Sequence, residues 1–341
     1  MIFNVNFLIF VGVVILSFII LNFITKNAVK LKLIDKPNHR SSHSEPTPRG
    51  GGLIIMIGLI AGLIVFWLTG QIDFSPVQFI AYLSVILSMT ALGVISDIVY
   101  IPIVLRLLCQ FFIAAIAVFL LPVADLLVLG PLSLNGIWLA LIFIVWIVAN
   151  VNFFNFMDGL DGYAGFQTLI VCCLLLYLGY TTGSALIVST VSIIIISLII
   201  FLNSNLKSKI FLGDVGSYTL SFILILLSLF HPSFIIPVIL AFSWFLFDAT
   251  ITLLRRIISG QAWFQSHRTH FYQRANIIGY SHQQISFTFL IFYLIFAGLG
   301  AAYFHTPNPM LIFLSVLICC CIACFIKTKE KQLLSNKISS N

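Results

Sequence analysis

Carboxylate and amide side chains recur at short spacing after one long apolar run. The four residues are Asn152, Asn155, Asp158 and Asp161. Helical residues three apart share a face, so neighbouring members can act on one ligand, although Gly159 and Gly162 predict a break in the helix. Hard oxygen donors at this density suit Mg²⁺, which also accepts water and substrate phosphates as ligands. Simple capping of a helix end is the alternative, and four such side chains in ten residues argue against it.

Two further aspartates stand at the ends of apolar runs. Asp214 lies between Gly213 and Gly216 just before one run, and the glycines would allow close approach of a metal or phosphate. Asp97 follows Ser96 at the end of another run, with Arg106 nine residues later. Each aspartate could instead be a helix cap.

Two cationic segments complete the candidate chemistry. One contains His267, Arg268 and His270, a set that suits a diphosphate better than zinc, because zinc usually needs more ligands. The other contains Arg40, His43 and Arg49, and it ends in Gly50–Gly52 before an apolar run. Backbone N–H groups at such a helix start can hold a phosphate. An ordinary basic loop is the alternative for both segments.

The elements that position these residues must lie in a lipid bilayer. The chain of 341 residues is 61% hydrophobic and 8% charged, with a formal net charge of +7. A soluble domain carries about 25% charged residues, and the long apolar runs favour membrane helices over a barrel. The positive charge indicates membrane orientation rather than nucleic-acid binding. The seven cysteines lie in apolar runs and are interpreted as packing residues.

The apolar runs predict an all-α polytopic membrane protein with about eleven transmembrane helices. The predicted spans are about 4–25, 51–70, 77–95, 103–121, 137–156, 163–181, 185–203, 215–231, 234–254, 284–304 and 310–326. All Lys and Arg then fall on one side or at the span ends beside it, which places the N-terminus outside and the C-terminus in the cytoplasm. Residues 124–136, with Gly130-Pro131 at the middle, predict an external β-hairpin.

The predicted domain organisation is simple. Residues 1–326 form a single transmembrane catalytic domain, and residues 327–341 form a basic cytoplasmic tail that we expect to be disordered near anionic headgroups. A secondary transporter is the competing functional class. Transporters usually place their sites near the middle of the membrane, whereas the ionisable residues here fall at the cytoplasmic span ends.

Taken together, the motifs resemble the polyprenyl-phosphate N-acetylhexosamine-1-phosphate transferases, the MraY-like and WecA-like enzymes of glycosyltransferase family 4. The matching segments occur in the family's order: 35–40 with 46–52, 152–162, 211–217 and 267–274. The last loop and the outside N-terminus resemble the WecA-like branch that starts O-antigen synthesis. The resemblance implies transfer of a sugar 1-phosphate from a UDP-N-acetylhexosamine to undecaprenyl phosphate, with release of UMP, in the bacterial inner membrane. It also implies a Mg²⁺ cofactor and a homodimer.

The resemblance also implies roles for individual residues. Asp214 and Asn152 match the family's metal site, and Asp97, Asp158 and Asp161 match residues that support catalysis or nucleotide binding. The implied substrate-binding residues are Arg40, His43, Arg49, Asn155, Asn205, His267, Arg268 and His270.

The chain departs from the family pattern at two places. The family has two adjacent aspartates where this chain has Ser96 and Asp97, which makes a catalytically impaired relative a further alternative. The family's Asn-Pro-Pro-Ala stretch is also missing, and either Asn203 or Asn205 can be the equivalent amide.

Overall fold

A computed structural model describes residues 2–37, 45–129, 132–261 and 267–339. Its helices are α1 (Ile2–Asn27), α2 (Gly52–Leu68), α3 (Pro76–Ile98), α4 (Ile103–Leu120), α5 (Gly136–Met157), α6 (Tyr163–Thr182), α7 (Ala185–Asn205), α8 (Gly213–Leu229), α9 (Pro232–Ala241), α10 (Ser243–Ile258), α11 (Phe271–Ile277), α12 (His282–His305) and α13 (Pro309–Ser339). Its strands are β1 (Ile34–Asp35), β2 (Thr47–Pro48), β3 (Leu126–Leu129) and β4 (Leu132–Asn135).

The helices confirm an all-α, multi-pass membrane protein. Within the described ranges, eight helices are long and apolar enough to cross a membrane. The consecutive helices α9 and α10 form a ninth apolar unit that is bent by 67°. The apolar helices α2 and α8 have 17 residues each, close to the shortest length that spans a bilayer. Eleven spans require α2, α8 and the bent pair to cross as well, so the span count and the orientation stay predictions.

Two small antiparallel pairs of strands connect the helices. The strands β3 and β4 pair from Leu126 with Asn135 to Leu129 with Leu132, which confirms the predicted hairpin. The pair β1–β2, which joins Ile34 to Pro48, was not predicted, because two-residue strands leave no periodic pattern. This pair leads directly into Arg49 and the start of α2.

The C-terminal tail differs from the prediction. Residues 327–339, expected to be disordered, continue α13 without a break as far as Ser339. The polar composition of the tail suggested disorder, but the preceding apolar helix supplies a formed turn, and extension from an existing turn costs little compared with nucleation.

The helix α8 lies at the centre of the fold, where all its residues from Val215 to Leu229 are buried. Glycines bring neighbouring backbones close to its first turn. A Cβ on Gly93 of α3 would lie 2.4 Å from the Val215 Cα, and one on Gly52 of α2 would lie 2.3 Å from the Gly216 Cα. Close backbone contact therefore gathers the ends of α2 and α3 around the start of α8.

Candidate functional site

The carboxylate of Asp97 caps the first turn of α8. The side chain is buried, with 1% of its surface exposed, and it accepts hydrogen bonds from the backbone N–H groups of Asp214 and Val215, both at 3.1 Å. Arg49 donates to the Asp97 carbonyl, and its Nε lies 3.7 Å from the Asp97 carboxylate. Both oxygens of Asp97 are therefore engaged in holding Asp214 in place. The catalytic role predicted for Asp97 and the substrate role predicted for Arg49 stay predictions.

The carboxylate of Asp214 is the point where α3, α5 and α8 meet. It accepts hydrogen bonds from Ser96 Oγ at 2.5 Å, Tyr218 Oη at 2.8 Å and Asn155 Nδ2 at 2.9 Å. Asn155 also donates to Ser217 Oγ at 3.0 Å. Ser96, the residue that departs from the family pattern, thus contributes a hydroxyl donor to Asp214 where an aspartate would add a second carboxylate.

The amide that reaches Asp214 is Asn155 rather than Asn152, which the sequence argument placed beside the same metal. Asn152 Nδ2 instead donates to Gln110 Oε1 of α4 at 2.7 Å and to the Val148 carbonyl at 2.8 Å. The two asparagines share a helix face, but Asn155 lies nearer the end of α5 by about 4.5 Å. The asparagine at the level of the α8 start is therefore the one that contacts Asp214, and the metal role of Asn152 stays a prediction.

Asp158, directly after α5, is half-buried beside the other aspartates. Burial, then the negative charges of Asp214, Asp97 and Asp161, raise the pKa of Asp158 to about 8. A carboxyl in such surroundings keeps its proton at neutral pH unless a cation offsets the neighbouring charge. The site is therefore electrostatically prepared for a cation.

The donors around Asp214 and Asp158 fit a hard cation better than a soft one. Among the described residues, no group of three or more His, Cys, Asp or Glu side chains has metal-binding geometry. A cation at Asp214 and Asp158 would take its other ligands from the Asn155 amide oxygen, water and substrate phosphates. Mg²⁺ is bound in this way, by one or two carboxylates with retained waters.

Asp161 lies between three helix ends. Its Oδ2 accepts from Ser208 Oγ at 2.6 Å and lies 3.0 Å from His282 Nδ1, while its carbonyl accepts from Ser286 Oγ at 2.7 Å. His282 opens α12 and was missed by the sequence argument, because no motif surrounds it. Asp161 therefore ties the loop between α5 and α6 to the start of α12.

Asn205 joins two loops of the fold, and its predicted substrate contact stays a prediction. Its Oδ1 accepts from the Gly162 N–H at 2.7 Å, and its Nδ2 donates to the Ile210 carbonyl at 2.9 Å. The side chain is 6% exposed. Both ends of the amide are used to join the turn before α6 to the segment before α8.

The histidine loop is held by Asp248 of α10, a buried residue that carried no predicted role. The Asp248 carboxylate lies 3.1 Å from His270 Nδ1 and accepts from the N–H groups of Phe271 at 3.0 Å and Tyr272 at 3.2 Å. Tyr272 Oη donates to the Phe156 carbonyl at 2.8 Å. The loop is thereby fixed against the end of α5, next to Asp158.

The two predicted histidines differ in character. Their rings stack with centroids 4.9 Å apart, and His270 is 2% exposed. Burial, then the nearby His270 and Arg256, lower the pKa of His267 to about 4. His267 is therefore neutral at pH 7 and acts as a hydrogen-bonding group rather than as a cation.

Arginine and lysine side chains supply positive charge around the aspartates. The guanidinium of Arg106, on α4, lies over the Tyr218 ring, 5.7 Å from its centroid. The hydroxyl of Tyr218 in turn donates a hydrogen bond to Asp214. Arg268 lines a cavity of about 1100 Å³ together with His282, Lys207 and Lys209. The sequence marked Arg106 only by its spacing from Asp97, so its contact with Tyr218, a hydrogen-bond partner of Asp214, is a structural finding.

The glycines before α2 do not provide the predicted phosphate cradle. The N–H groups of Gly51 and Gly52 donate to the carbonyls of Phe211 and Leu212, each at 2.9 Å. These bonds fasten the start of α2 to the segment before Asp214. The predicted substrate residues Arg40 and His43 lie outside the described residues.

Comparison with known proteins finds a family match that covers most of this site. Residues 79–231, which run from the first turn of α3 to the end of α8 and include Asp97, Asp158, Asp161 and Asp214, match the model of glycosyl transferase family 4. This part of the chain is similar to that family. The predicted family resemblance is therefore confirmed.

Whole-length relatives agree with the family match. The chain is 29% identical over 295 residues to a probable undecaprenyl-phosphate N-acetylglucosaminyl 1-phosphate transferase of Bacillus subtilis (strain 168). The alignment covers 81% of this chain and 78% of that relative. It is 26% identical over 318 residues to the undecaprenyl-phosphate alpha-N-acetylglucosaminyl 1-phosphate transferase of Salmonella typhi. That alignment covers 86% of this chain and 83% of the Salmonella protein.

Proposed function

We propose that this family 4 protein transfers an N-acetylhexosamine 1-phosphate from a UDP-sugar to undecaprenyl phosphate, releases UMP, and so initiates O-antigen or another cell-envelope polysaccharide. The observation that carries the proposal is the cluster of Asp97, Asp158 and Asp214 at adjoining helix ends, within the segment that matches the family. The names of the similar enzymes support the acceptor and the class of donor.

The chain's own residues meet the main difficulty of the reaction, which is to bring two phosphate anions together. An oxygen of the acceptor phosphate attacks the β-phosphorus of the UDP-sugar, and the bond from that phosphorus to the bridging oxygen breaks as UMP leaves. Catalysis of this kind depends on positioning and electrostatic stabilisation. Mg²⁺, held by Asp214 and Asp158 with Asn155, would neutralise charge on the donor diphosphate.

The remaining residues position this centre. Asp97 fixes the Asp214 backbone through two N–H groups, and Ser96, Tyr218 and Asn155 orient the carboxylate. Arg106 and Arg268 supply positive charge on the two sides of the aspartates. The neutral His267 and the Asp248-held His270 can donate hydrogen bonds to the diphosphate or the sugar.

The location of the site suits a lipid acceptor. The prenyl chain of undecaprenyl phosphate would remain in the bilayer of the bacterial inner membrane while its phosphate reaches the helix ends. All Lys and Arg are predicted on the same side as Asp97, Asp158 and Asp214, so we assign this side to the cytoplasm, where UDP-sugars are available.

Release of UMP tests the proposal directly. Purified protein in undecaprenyl phosphate-containing micelles is incubated with Mg²⁺ and a series of UDP-N-acetylhexosamines, and UMP is quantified. We expect release with at least one donor and dependence on the acceptor. Uptake of a substrate into proteoliposomes without UMP release would support a secondary transporter instead. A silent wild type with an active Ser96→Asp variant would identify a catalytically impaired relative.

A further inference from the structure

The end of α13 lies against α11, the short helix that follows the histidine loop. We call residues 327–339 the α13 extension. Within it, the Glu330 carboxylate accepts from both Nε and Nη2 of Arg274, with the Nε contact at 3.3 Å. The two side chains are 31% and 14% exposed, respectively. A forked arginine–carboxylate contact fixes orientation as well as distance.

A second contact joins the same two helices. The Arg274 guanidinium lies 5.2 Å from the centroid of the Phe271 ring, and the Lys327 ammonium lies 5.9 Å from it. Phe271 is 1% exposed. The ring is thus contacted by one cation from α11 and one from the α13 extension, at distances where cation–π attraction operates.

Next to these contacts, the apolar faces of α12 and α13 are separated by a cavity. A cavity of about 640 Å³ lies between α12 and α13 and reaches Ala275 of α11, and its lining includes Phe289, Ile322 and Phe325. The polar contacts of Arg274, Glu330 and Lys327 join α11 to α13 beside this cavity.

The helix α11 connects this attachment to the candidate site. His270 caps its start and is held by Asp248, and Tyr272 donates to the Phe156 carbonyl at the end of α5. Asp158 follows two residues after Phe156. A shift of α11 would therefore displace the histidine loop and the turn that carries Asp158.

We propose that Arg274 and Glu330 are a positioning pair through which the α13 extension sets the place of the histidine loop. The part of the inference that concerns transfer rests on the proposed function. The part that concerns the position of the loop does not, because it concerns only how firmly residues 268–277 are held in place.

Hydrogen–deuterium exchange tests the positional part. The measurement compares amide exchange of residues 268–277 in purified wild type and Glu330→Gln. Loss of a partly exposed charged contact should speed exchange about three- to ten-fold. Lys331→Gln, which removes a charge from an exposed neighbour on the same turn, should leave the exchange unchanged. The pair Arg274→Glu and Glu330→Arg should restore slow exchange relative to Arg274→Glu alone.

Measurement of UMP release tests the functional part of the proposal. In Glu330→Gln we expect kcat to fall by a factor similar to the change in exchange, with the KM for undecaprenyl phosphate unchanged, and the double charge reversal to recover it. Unchanged exchange in Glu330→Gln, or a double variant no better than the single ones, would overturn the positioning pair. Absence of UMP release from the wild type would count against the proposed function, while the exchange result would still decide the positional claim.

Discussion

The ionisation of Asp158 links the geometry of the site to a measurable quantity. Its pKa of about 8 lies far above the ordinary 3.8 because of burial and three neighbouring carboxylates. The folded protein therefore holds this proton where the unfolded chain releases it, so this group makes folding less favourable as the pH rises from about 4 to about 8.

Cation binding should release the Asp158 proton. At pH 7, addition of Mg²⁺ to metal-stripped protein should release about one proton per chain, because the bound carboxylate must be ionised. Calorimetric titration in two buffers of different ionisation enthalpy measures the number of protons. Asp158→Asn should lower the number of protons released. A wild type that binds Mg²⁺ without releasing protons would contradict the assignment of Asp158.

Individual site residues were predicted with mixed success, for physical reasons. The sequence singled out Asp214 and Asp158 as carboxylates beside glycines at span ends, and the structure brings them close together, while their roles stay predictions. The contact of Asn155 rather than Asn152 with Asp214 was not foreseen, since periodicity gives the face of a helix but not the depth that a neighbouring helix reaches. Asp248 and His282 were missed because their partners, at His270 and Asp161, lie 22 and 121 residues away in the sequence.

At the scale of elements, the site depends on how the start of α8 meets α3. Gly213 has a φ of +78°, and a Cβ there would lie 2.6 Å from Asp97 Oδ2. Gly183, at the end of α6, has a similar φ of +72° but nothing within 4 Å of a Cβ. A side chain at either glycine would strain the left-handed backbone. Only at Gly213 would it also collide with Asp97.

Alanine at these two glycines should therefore have different effects. Gly183→Ala should cost about 1 kcal/mol of stability from the left-handed backbone and keep activity. Gly213→Ala should cause the same strain and in addition displace Asp97, which should lower UMP release about 100-fold. Thermal unfolding in detergent and UMP assays measure both effects. Equal activity of the two variants would show that the Asp97 contact does not matter.

Most helices could be predicted from the sequence, whereas the connections could not. Long apolar runs predicted the main helices to within a few residues, because the bilayer imposes length and composition together. The break between α9 and α10 lies at Phe242 within one apolar run, so hydropathy did not reveal it. The helical α13 extension was missed because its contacts with Arg274 and Phe271 are tertiary.

At the scale of the whole molecule, the charge asymmetry and the helix ends give the same picture. The aspartates, the histidine loop and the arginines meet at one end of the helix bundle, and all Lys and Arg are predicted on that side. The membrane class followed from composition alone. The convergence of α3, α5 and α8 on Asp214 required the structure, because close glycine contacts between α2, α3 and α8 decide which loops meet.

The loss of activity in Asp214→Asn is the most direct test of the central claim that this carboxylate holds the cation needed for transfer. The variant keeps the side-chain shape and can still contact Ser96, Tyr218 and Asn155, so it should fold with an unchanged thermal unfolding temperature. Asp73→Asn, which neutralises an exposed aspartate far from these contacts, is the matched control. We expect Mg²⁺-dependent UMP release to fall at least about 100-fold in Asp214→Asn and to remain at the wild-type rate in Asp73→Asn. A folded Asp214→Asn variant that releases UMP at the wild-type rate would contradict the account.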